Sequence, residues 1–185
     1  MQANDGMFWH ALTRLGESQI LLPAALLAAF LLARRNGHGR TACVWLAALG
    51  GAVFVTLVSK FAFMGWGLGW AAFDFSGVSG HAMLASAVYP VLFAILLPAQ
   101  TPWGRWGVAG AGMVVALLVG VSRVMVGAHS SSEVIVGLAV GGLAAAAVLE
   151  RSSGVVAPGP TRLSRTSMLG APLAISLWLI MMPAF

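Results

Sequence analysis

The sequence predicts an all-α, polytopic membrane protein with six transmembrane helices in one bundle. Hydrophobic residues make up 59% of the 185 residues, charged residues only 8%, and the mean hydropathy is +0.92. A soluble domain carries roughly 25% charged residues, so this chain has too few to cover a surface that faces water. Because a spanning helix needs about 20 apolar residues, the length admits at most six or seven spans. We therefore expect one transmembrane domain over residues 1–185, without a large soluble module.

Six apolar segments define the predicted spans. In chain order they cover residues 20–33, 41–64, 82–99, 107–125, 133–149 and 168–185. Each must be helical, because lipid offers no hydrogen-bond partner to open backbone groups. The first segment is short, and we expect its helix to begin near Leu15. Glycine-rich pieces in the fourth and fifth segments predict closely packed helices.

The N-terminal stretch mixes apolar and polar positions. It is open to three interpretations: a short interfacial helix on the membrane surface, a buried cap helix, or disorder. It lacks a basic region followed by an apolar core, so we expect no cleavable signal peptide. The tryptophan-rich loop at 64–75 is typical of an interfacial aromatic belt.

Basic residues determine the predicted orientation. Seven of the ten lie in alternate connections, namely Arg34, Arg35, Arg40, Arg105, Arg151, Arg162 and Arg165. The positive-inside rule places these connections in the cytoplasm and both termini outside. We thus expect a multi-pass protein of a bacterial-type inner membrane. The net charge of +5 reflects this bias and does not indicate a nucleic-acid partner.

The remaining polar residues gather at the predicted outer ends of the spans, where the site would face the periplasm. They are Lys60, Asp74, Ser79, His81, Ser122, Arg123, His129 and Glu133. Ionisable groups at membrane depth are costly and tend to mark function. The alternation of the spans brings these residues to one face, although they are far apart in sequence. This face is the candidate site.

The residue types at this face suit an anionic substrate. Lys60 is a fixed positive charge, and Arg123 offers two parallel donors that match phosphate oxygens. Ser79 and Gly80 can add a hydroxyl and backbone N–H groups. We expect Asp74 either to cap the third span or to pair with one of the two cations.

Two histidines can carry the chemistry. His129 and Glu133 are four residues apart, so on one helical face the carboxylate can fix the imidazole tautomer and make the other nitrogen nucleophilic. His81 lies on a separate segment and can protonate a leaving oxygen. The set predicts hydrolysis of a phosphate ester without a metal or other cofactor. Cys43 is the only cysteine, which excludes an internal disulfide and a thiolate metal cluster.

Two runs resemble signatures of the type 2 phosphatidic acid phosphatase (PAP2) superfamily. SRVMVGAHSSSE (122–133) resembles its Ser-Arg, His and Asp signature, and VSGH (78–81) resembles its Pro-Ser-Gly-His signature. The resemblance implies that His81 is the general acid and that His129 is the nucleophile, which forms a phosphohistidine. It assigns phosphate binding to Arg123, Ser79 and Gly80.

Three positions depart from the family pattern. Glu133 replaces the usual aspartate and can make the same hydrogen bond. Val78 replaces proline, which we expect to alter only the rigidity of the loop. Lys60 matches the first signature, but Gly-Leu at 67–68 stands where that signature has Arg-Pro. Arg14 can replace this arginine only if the N-terminal segment folds over the site.

The sequence therefore predicts a membrane phosphatase that acts at the outer leaflet. Its substrate would be a lipid phosphate or diphosphate of the phosphatidic acid, phosphatidylglycerophosphate or undecaprenyl diphosphate type, entering laterally from the bilayer. A lipid phosphotransferase and a non-catalytic PAP2-like protein are alternatives on the same scaffold. A rhomboid-like serine protease, with GVSG (77–80) and a pair of Ser79 with His129, leaves most of the charged residues without a role. The sequence does not indicate an oligomeric state.

Overall fold

A computed structural model describes residues 2–34, 38–97 and 101–150, and these residues form helices without any β-strand. The six α-helices are α1 (Gln2–Arg14), α2 (Ser18–Ala33), α3 (Gly39–Trp66), α4 (Gly80–Leu96), α5 (Pro102–Met125) and α6 (Ser131–Leu149). A single 3₁₀ turn, Ala71–Phe73, interrupts the loop between α3 and α4. The predicted sixth span at 168–185 and the arginines at 151–165 lie outside the described residues.

Helices α2 to α6 coincide with the first five predicted spans to within a few residues at each end. Among the described residues, four helical stretches are long and apolar enough to cross a bilayer: Gly6–Ala33, Gly39–Trp66, Trp103–Met125 and Ser131–Leu149. Helix α4 is apolar as well but shorter. The chain is therefore a helical membrane protein, as the hydropathy predicts.

The N-terminal stretch forms a helix that packs against α5. Thr13 and Gly16, at its end, are buried. The stretch is therefore a helix rather than disordered; its end is buried, and most of residues 6–12 are exposed. The turn at 15–17 separates α1 from α2.

Helix α4 lies at the centre of the bundle and packs against α2, α3, α5 and α6. Eleven of its seventeen residues are buried. Its apolar residues surround the helix on every side, a pattern that belongs to a buried helix. Its N-terminus is consequently enclosed by neighbouring helices.

Glycines on α6 allow α4 and α6 to approach closely, as the sequence predicts. A methyl group at Gly137 would lie 2.7 Å from the carbonyl oxygen of Ser79, and one at Gly141 would collide with the carbonyl of Met83. The two helices are thus held together at their N-terminal ends. We call this end of the bundle, where α4 and α6 begin and α3 and α5 finish, the site end.

Candidate active site

A short loop between α5 and α6 carries His129. Gly127, at φ +69°, is in the left-handed region that glycine adopts without strain. The chain turns back here, so the N–H of His129 donates to the carbonyl of Arg123 at 3.2 Å. This turn holds the histidine beside the end of α5. Its Nδ1 lies 2.6 Å from Oε2 of Glu133, on the first turn of α6.

The Glu133 carboxylate is buried and accepts hydrogen bonds at both oxygens. Oε1 accepts from the backbone N–H of Ser76 at 2.7 Å and from the Ser76 hydroxyl. Oε2 accepts from the N–H of Ser130 at 3.3 Å and pairs with His129. An ionised carboxylate can only accept, so in the neutral imidazole of His129 the proton lies on Nδ1 and Nε2 presents its lone pair.

Glu133 also helps to start α6. The Ser130 hydroxyl accepts from the N–H of Glu133, while the Glu133 side chain accepts from the N–H of Ser130. This reciprocal capping box satisfies two backbone donors that would otherwise have no partner. One carboxylate therefore orients the imidazole and caps the helix.

The loop before α4 contributes a group of hydrogen-bond donors. Ser79 is the N-cap of α4, and its N–H donates to the carbonyl of Glu133 at 3.2 Å. Its hydroxyl is buried and has no hydrogen-bond partner among the described residues. The first N–H groups of α4, beginning at Gly80, have no acceptor within the helix. The N-terminus of a helix attracts anions, and the Ser79 hydroxyl can add a further hydrogen bond to such an anion.

Lys60 lies directly against this loop. A methyl group at Gly77 would be 3.1 Å from Cγ of Lys60, so the backbone passes beside the lysine stem. The N–H of the next residue, Val78, donates to the Ser59 hydroxyl at 3.0 Å. Proline has no such donor, so valine here adds a hydrogen bond to α3. The expectation that Val78 alters only loop rigidity was therefore incomplete.

Arg123 reaches the site end from the last turn of α5. Its Nη1 donates to the hydroxyl of Thr13 on α1 at 3.0 Å. Its Nε is buried and has no partner within the described part of the chain. His81 lies close enough to Arg123, His129 and Lys60 for all three to act on it electrostatically. The structure thus brings the two candidate histidines and the two candidate cations together.

Two predicted auxiliary residues are placed differently. Asp74 is exposed in a left-handed turn, at φ 49°. Ser79 occupies the N-cap that was expected of Asp74, and in the described ranges Asp74 forms no ion pair with either cation. The Ser122 hydroxyl donates to the carbonyl of Val119 at 2.6 Å, so its hydrogen bond lies within α5.

Three residues at the site were not predicted, namely Thr13, Ser59 and Ser76. Each acts through a hydrogen bond to a residue of another element or loop. A serine in a polar loop or a threonine in a helix has no distinctive spacing that would single it out. The only indication in the sequence was that Ser76 lies three residues before the candidate residue Ser79, in the same loop.

The geometry does not form the serine–histidine pair of the protease interpretation. The hydroxyl of Ser79 has no partner among the described residues, and Nδ1 of His129 is bonded to Glu133. Nor do three His, Cys, Asp or Glu side chains come together as metal ligands within residues 2–34, 38–97 and 101–150. The site instead presents cations and hydrogen-bond donors, which are ligands for an anion.

This fold and site define a class of protein, namely a membrane-embedded helical bundle with an oriented imidazole beside cations and hydrogen-bond donors. Residues 41–154, well over half of the chain, match the profile of the PAP2 superfamily. The chain belongs to that superfamily.

One relative and one solved structure illustrate the similarity. An uncharacterised 22.5 kDa protein in the cps region of Klebsiella pneumoniae is 39% identical over 144 residues, which are 77% of this chain and 68% of that protein. The crystal structure of a transmembrane PAP2-type phosphatidylglycerolphosphate phosphatase from Bacillus subtilis is similar with a TM-score of 0.60 and 26% identity. That similarity covers 86% of this chain and 79% of the Bacillus chain.

Proposed function

We propose that this protein is a membrane lipid phosphatase that releases phosphate from a lipid phosphate or diphosphate at the outer leaflet. The observation that carries the proposal is the imidazole of His129, oriented by Glu133 at 2.6 Å, near the Ser79 hydroxyl and Arg123 Nε, which have no hydrogen-bond partner among the described residues. Membership of the PAP2 superfamily and the similarity to a phosphatase that acts on a phospholipid support the same reaction class.

In the first step, Nε2 of His129 attacks phosphorus while the bond from phosphorus to the lipid oxygen breaks. His81 donates a proton to the departing oxygen, so the lipid leaves as an alcohol or, from a diphosphate, as a monophosphate. The phosphoryl group is then bonded to His129. Glu133 stabilises the positive charge that develops on the imidazole, because its carboxylate accepts a hydrogen bond from the Nδ1–H group.

In the second step, water attacks the phosphohistidine. His81, now without its proton, accepts a proton from that water, and the bond from phosphorus to nitrogen breaks. Inorganic phosphate leaves and both histidines return to their first state. Throughout, Lys60, Arg123 and the N-terminus of α4 counter the negative charge on the phosphoryl oxygens.

The lipid tail would lie along the apolar surface of the bundle. Helix α3, which ends beside the site, exposes large apolar side chains over its last four turns, including Phe54, Leu57 and Phe61. These side chains face the bilayer in a membrane protein. A lipid can therefore bring its headgroup to the site end without leaving the membrane.

The first test is phosphate release by the purified protein in detergent. Phosphatidic acid, phosphatidylglycerophosphate and undecaprenyl diphosphate are offered in turn, with chelator present. We expect release from at least one of them, and loss of that release in His129→Ala. The matched control is His38→Ala, which removes an imidazole at the opposite end of α3 and should keep full activity.

A second measurement detects the proposed intermediate. Acid-labile, base-stable label should appear on wild-type protein after brief exposure to labelled substrate, and it should be absent from His129→Ala. Undiminished turnover by that variant would contradict the assigned nucleophile. Loss of wild-type activity with chelator would contradict a reaction without metal. Transfer of label to an added alcohol rather than water would instead indicate a transferase.

A further inference from the structure

The turn that joins α1 to α2 is packed directly onto the site. The hydroxyl of Tyr89 on α4 donates to the carbonyl of Leu15 at 2.8 Å. A methyl group at Gly16 would lie 2.6 Å from Cγ1 of Val119 and 3.0 Å from Cβ of His81. The backbone of this turn therefore lies against the candidate general acid, with no room for a larger residue at position 16.

Two charged residues, Arg14 at the end of α1 and Glu17 on the turn, lie next to Thr13 and Gly16 in the chain. Thr13, at the end of α1, accepts a hydrogen bond from Arg123 at 3.0 Å. The carboxylate of Glu17 acts electrostatically on Arg123. Oε1 of Glu17 is also 3.9 Å from Nε of Arg14. One carboxylate thus interacts with two guanidinium groups.

The contact between Arg14 and Glu17 is loose. At 3.9 Å it is too long for a hydrogen bond. Both side chains are about a third exposed, at 38% for Arg14 and 33% for Glu17, so water screens their attraction. A phosphate can form two parallel charge-assisted hydrogen bonds with a guanidinium, whereas Glu17 forms none with Arg14, so a phosphate can displace Glu17.

We propose that Arg14 binds a second phosphate of the substrate, next to the phosphate that His129 attacks. In the proposed mechanism Lys60, Arg123 and the Ser79 hydroxyl hold the reacting phosphate, whereas Arg14 is the last residue of α1 and follows Thr13, which accepts from Arg123. The substrate class is then a lipid with two phosphates, either a diphosphate or a phosphomonoester that also carries a phosphodiester. This inference rests on the proposed function, because it names the substrate of that same site.

The first test measures binding without catalysis. The thermal stability of the purified full-length protein in detergent is followed as inorganic diphosphate or inorganic phosphate is added. We expect diphosphate to stabilise the wild type at lower concentration than phosphate does. In Arg14→Gln the ratio between the phosphate and diphosphate concentrations that stabilise the protein should fall roughly tenfold or more, the size expected from loss of a charge-assisted hydrogen bond.

Matched variants separate a specific contact from a general effect of charge. Arg40→Gln removes the same charge at the far end of α3, about 30 Å from Lys60 at 1.5 Å per residue, and should keep the preference. Glu17→Gln removes the competing carboxylate and should tighten diphosphate binding. Effects of opposite sign at Arg14 and Glu17 do not follow from a merely structural role. Equal affinity of Arg14→Gln and wild type for diphosphate would overturn the proposal.

The second test uses turnover. Arg14→Gln should raise KM for the two-phosphate lipids roughly tenfold and leave KM for phosphatidic acid within about twofold. An equal rise for both substrates would overturn the second-phosphate role. Failure of the wild type to hydrolyse any lipid would contradict the proposed function, while the binding comparison would still decide whether Arg14 binds a second phosphate.

Discussion

Ser76 links the two halves of the candidate site. Its N–H and its hydroxyl both donate to Oε1 of Glu133, 57 residues further along the chain. The other oxygen of that carboxylate holds His129. Ser76 therefore fixes the rotation of the carboxylate, and through it the direction in which Nε2 of His129 points. We interpret it as a positioning residue.

Ser76→Ala should lower kcat while leaving KM unchanged. The backbone N–H remains, but a hydrogen bond to a charged group contributes about 1.5–3 kcal/mol, so we expect kcat to fall about 10- to 100-fold. Steady-state kinetics on the best lipid substrate provides the measurement. Ser76→Thr keeps the hydroxyl and should restore most of the rate.

Ser132→Ala is the matched control for this prediction. It removes a hydroxyl that donates to the carbonyl of Phe73 at 2.7 Å and lies 2.8 Å from the Ser130 hydroxyl, but that does not bond to Glu133. Its kcat should stay near the wild-type value. A comparable fall in kcat for both variants would show that any loosening of this loop slows the reaction, and that Ser76 has no specific role.

Sequence spacing predicted the pairing of His129 with Glu133 but not the role of Ser76. The four-residue spacing predicted that the two side chains would meet on one helical face, but α6 begins at Ser131, so His129 meets Glu133 from the preceding loop. The contact between Ser76 and Glu133 depends on how α4 and α6 dock. Sequence patterns within one element carry no information about that docking.

At the scale of elements, the closeness of α4 and α6 positions the site. Gly141 lies against the carbonyl of Met83 and the hydroxyl of Ser86. These atoms belong to the backbone and to a fully buried side chain, so neither can move aside easily. Any group larger than hydrogen at position 141 must separate the two helices.

Gly141→Ala should therefore destabilise the bundle by about 1–3 kcal/mol, the usual cost of overpacking. The expected observation is a lower Tm in detergent. Gly142→Ala is a control at the adjacent residue, since its methyl would meet only Cε of Met113, at 3.5 Å. Alanine favours helix more than glycine does, so that variant should match or slightly exceed wild-type stability. The opposite order would contradict the close approach.

The apolar helices could be predicted from the sequence, whereas the packing of α1 could not. Long apolar runs must become helices in lipid, which is why α2 to α6 match the predicted segments. Helix α1 has no such run. Its packing depends on particular hydrogen bonds, from Arg123 to Thr13 and from Tyr89 to Leu15 on the turn that follows, and hydropathy does not report contacts of this kind.

At the scale of the whole molecule, positive charges are separated along the bundle axis. Lys60 and Arg123 lie at the site end. Arg34, Arg40 and Arg105 lie where α2 finishes and where α3 and α5 begin, at the opposite end. By the positive-inside rule the arginine-rich end should be cytoplasmic. The site end would then face outward.

Cysteine accessibility tests this orientation in intact cells. Asp74→Cys and Trp103→Cys, each made in a Cys43→Ser background, place a single thiol at exposed positions at opposite ends of the bundle. A membrane-impermeant maleimide should label Asp74→Cys from outside and Trp103→Cys only after permeabilisation. The reverse pattern would show that the site faces the cytoplasm.

The double use of Glu133 affects how sequences of relatives should be interpreted. A protein that had lost its substrate would still need a residue that caps α6, so selection for folding alone could retain glutamate at this position. The side chain of His129 takes no part in that cap, and its one described hydrogen bond is to Glu133. A change at His129 is therefore the better sign that a relative has lost activity, and a retained Glu133 is weak grounds for calling it an enzyme.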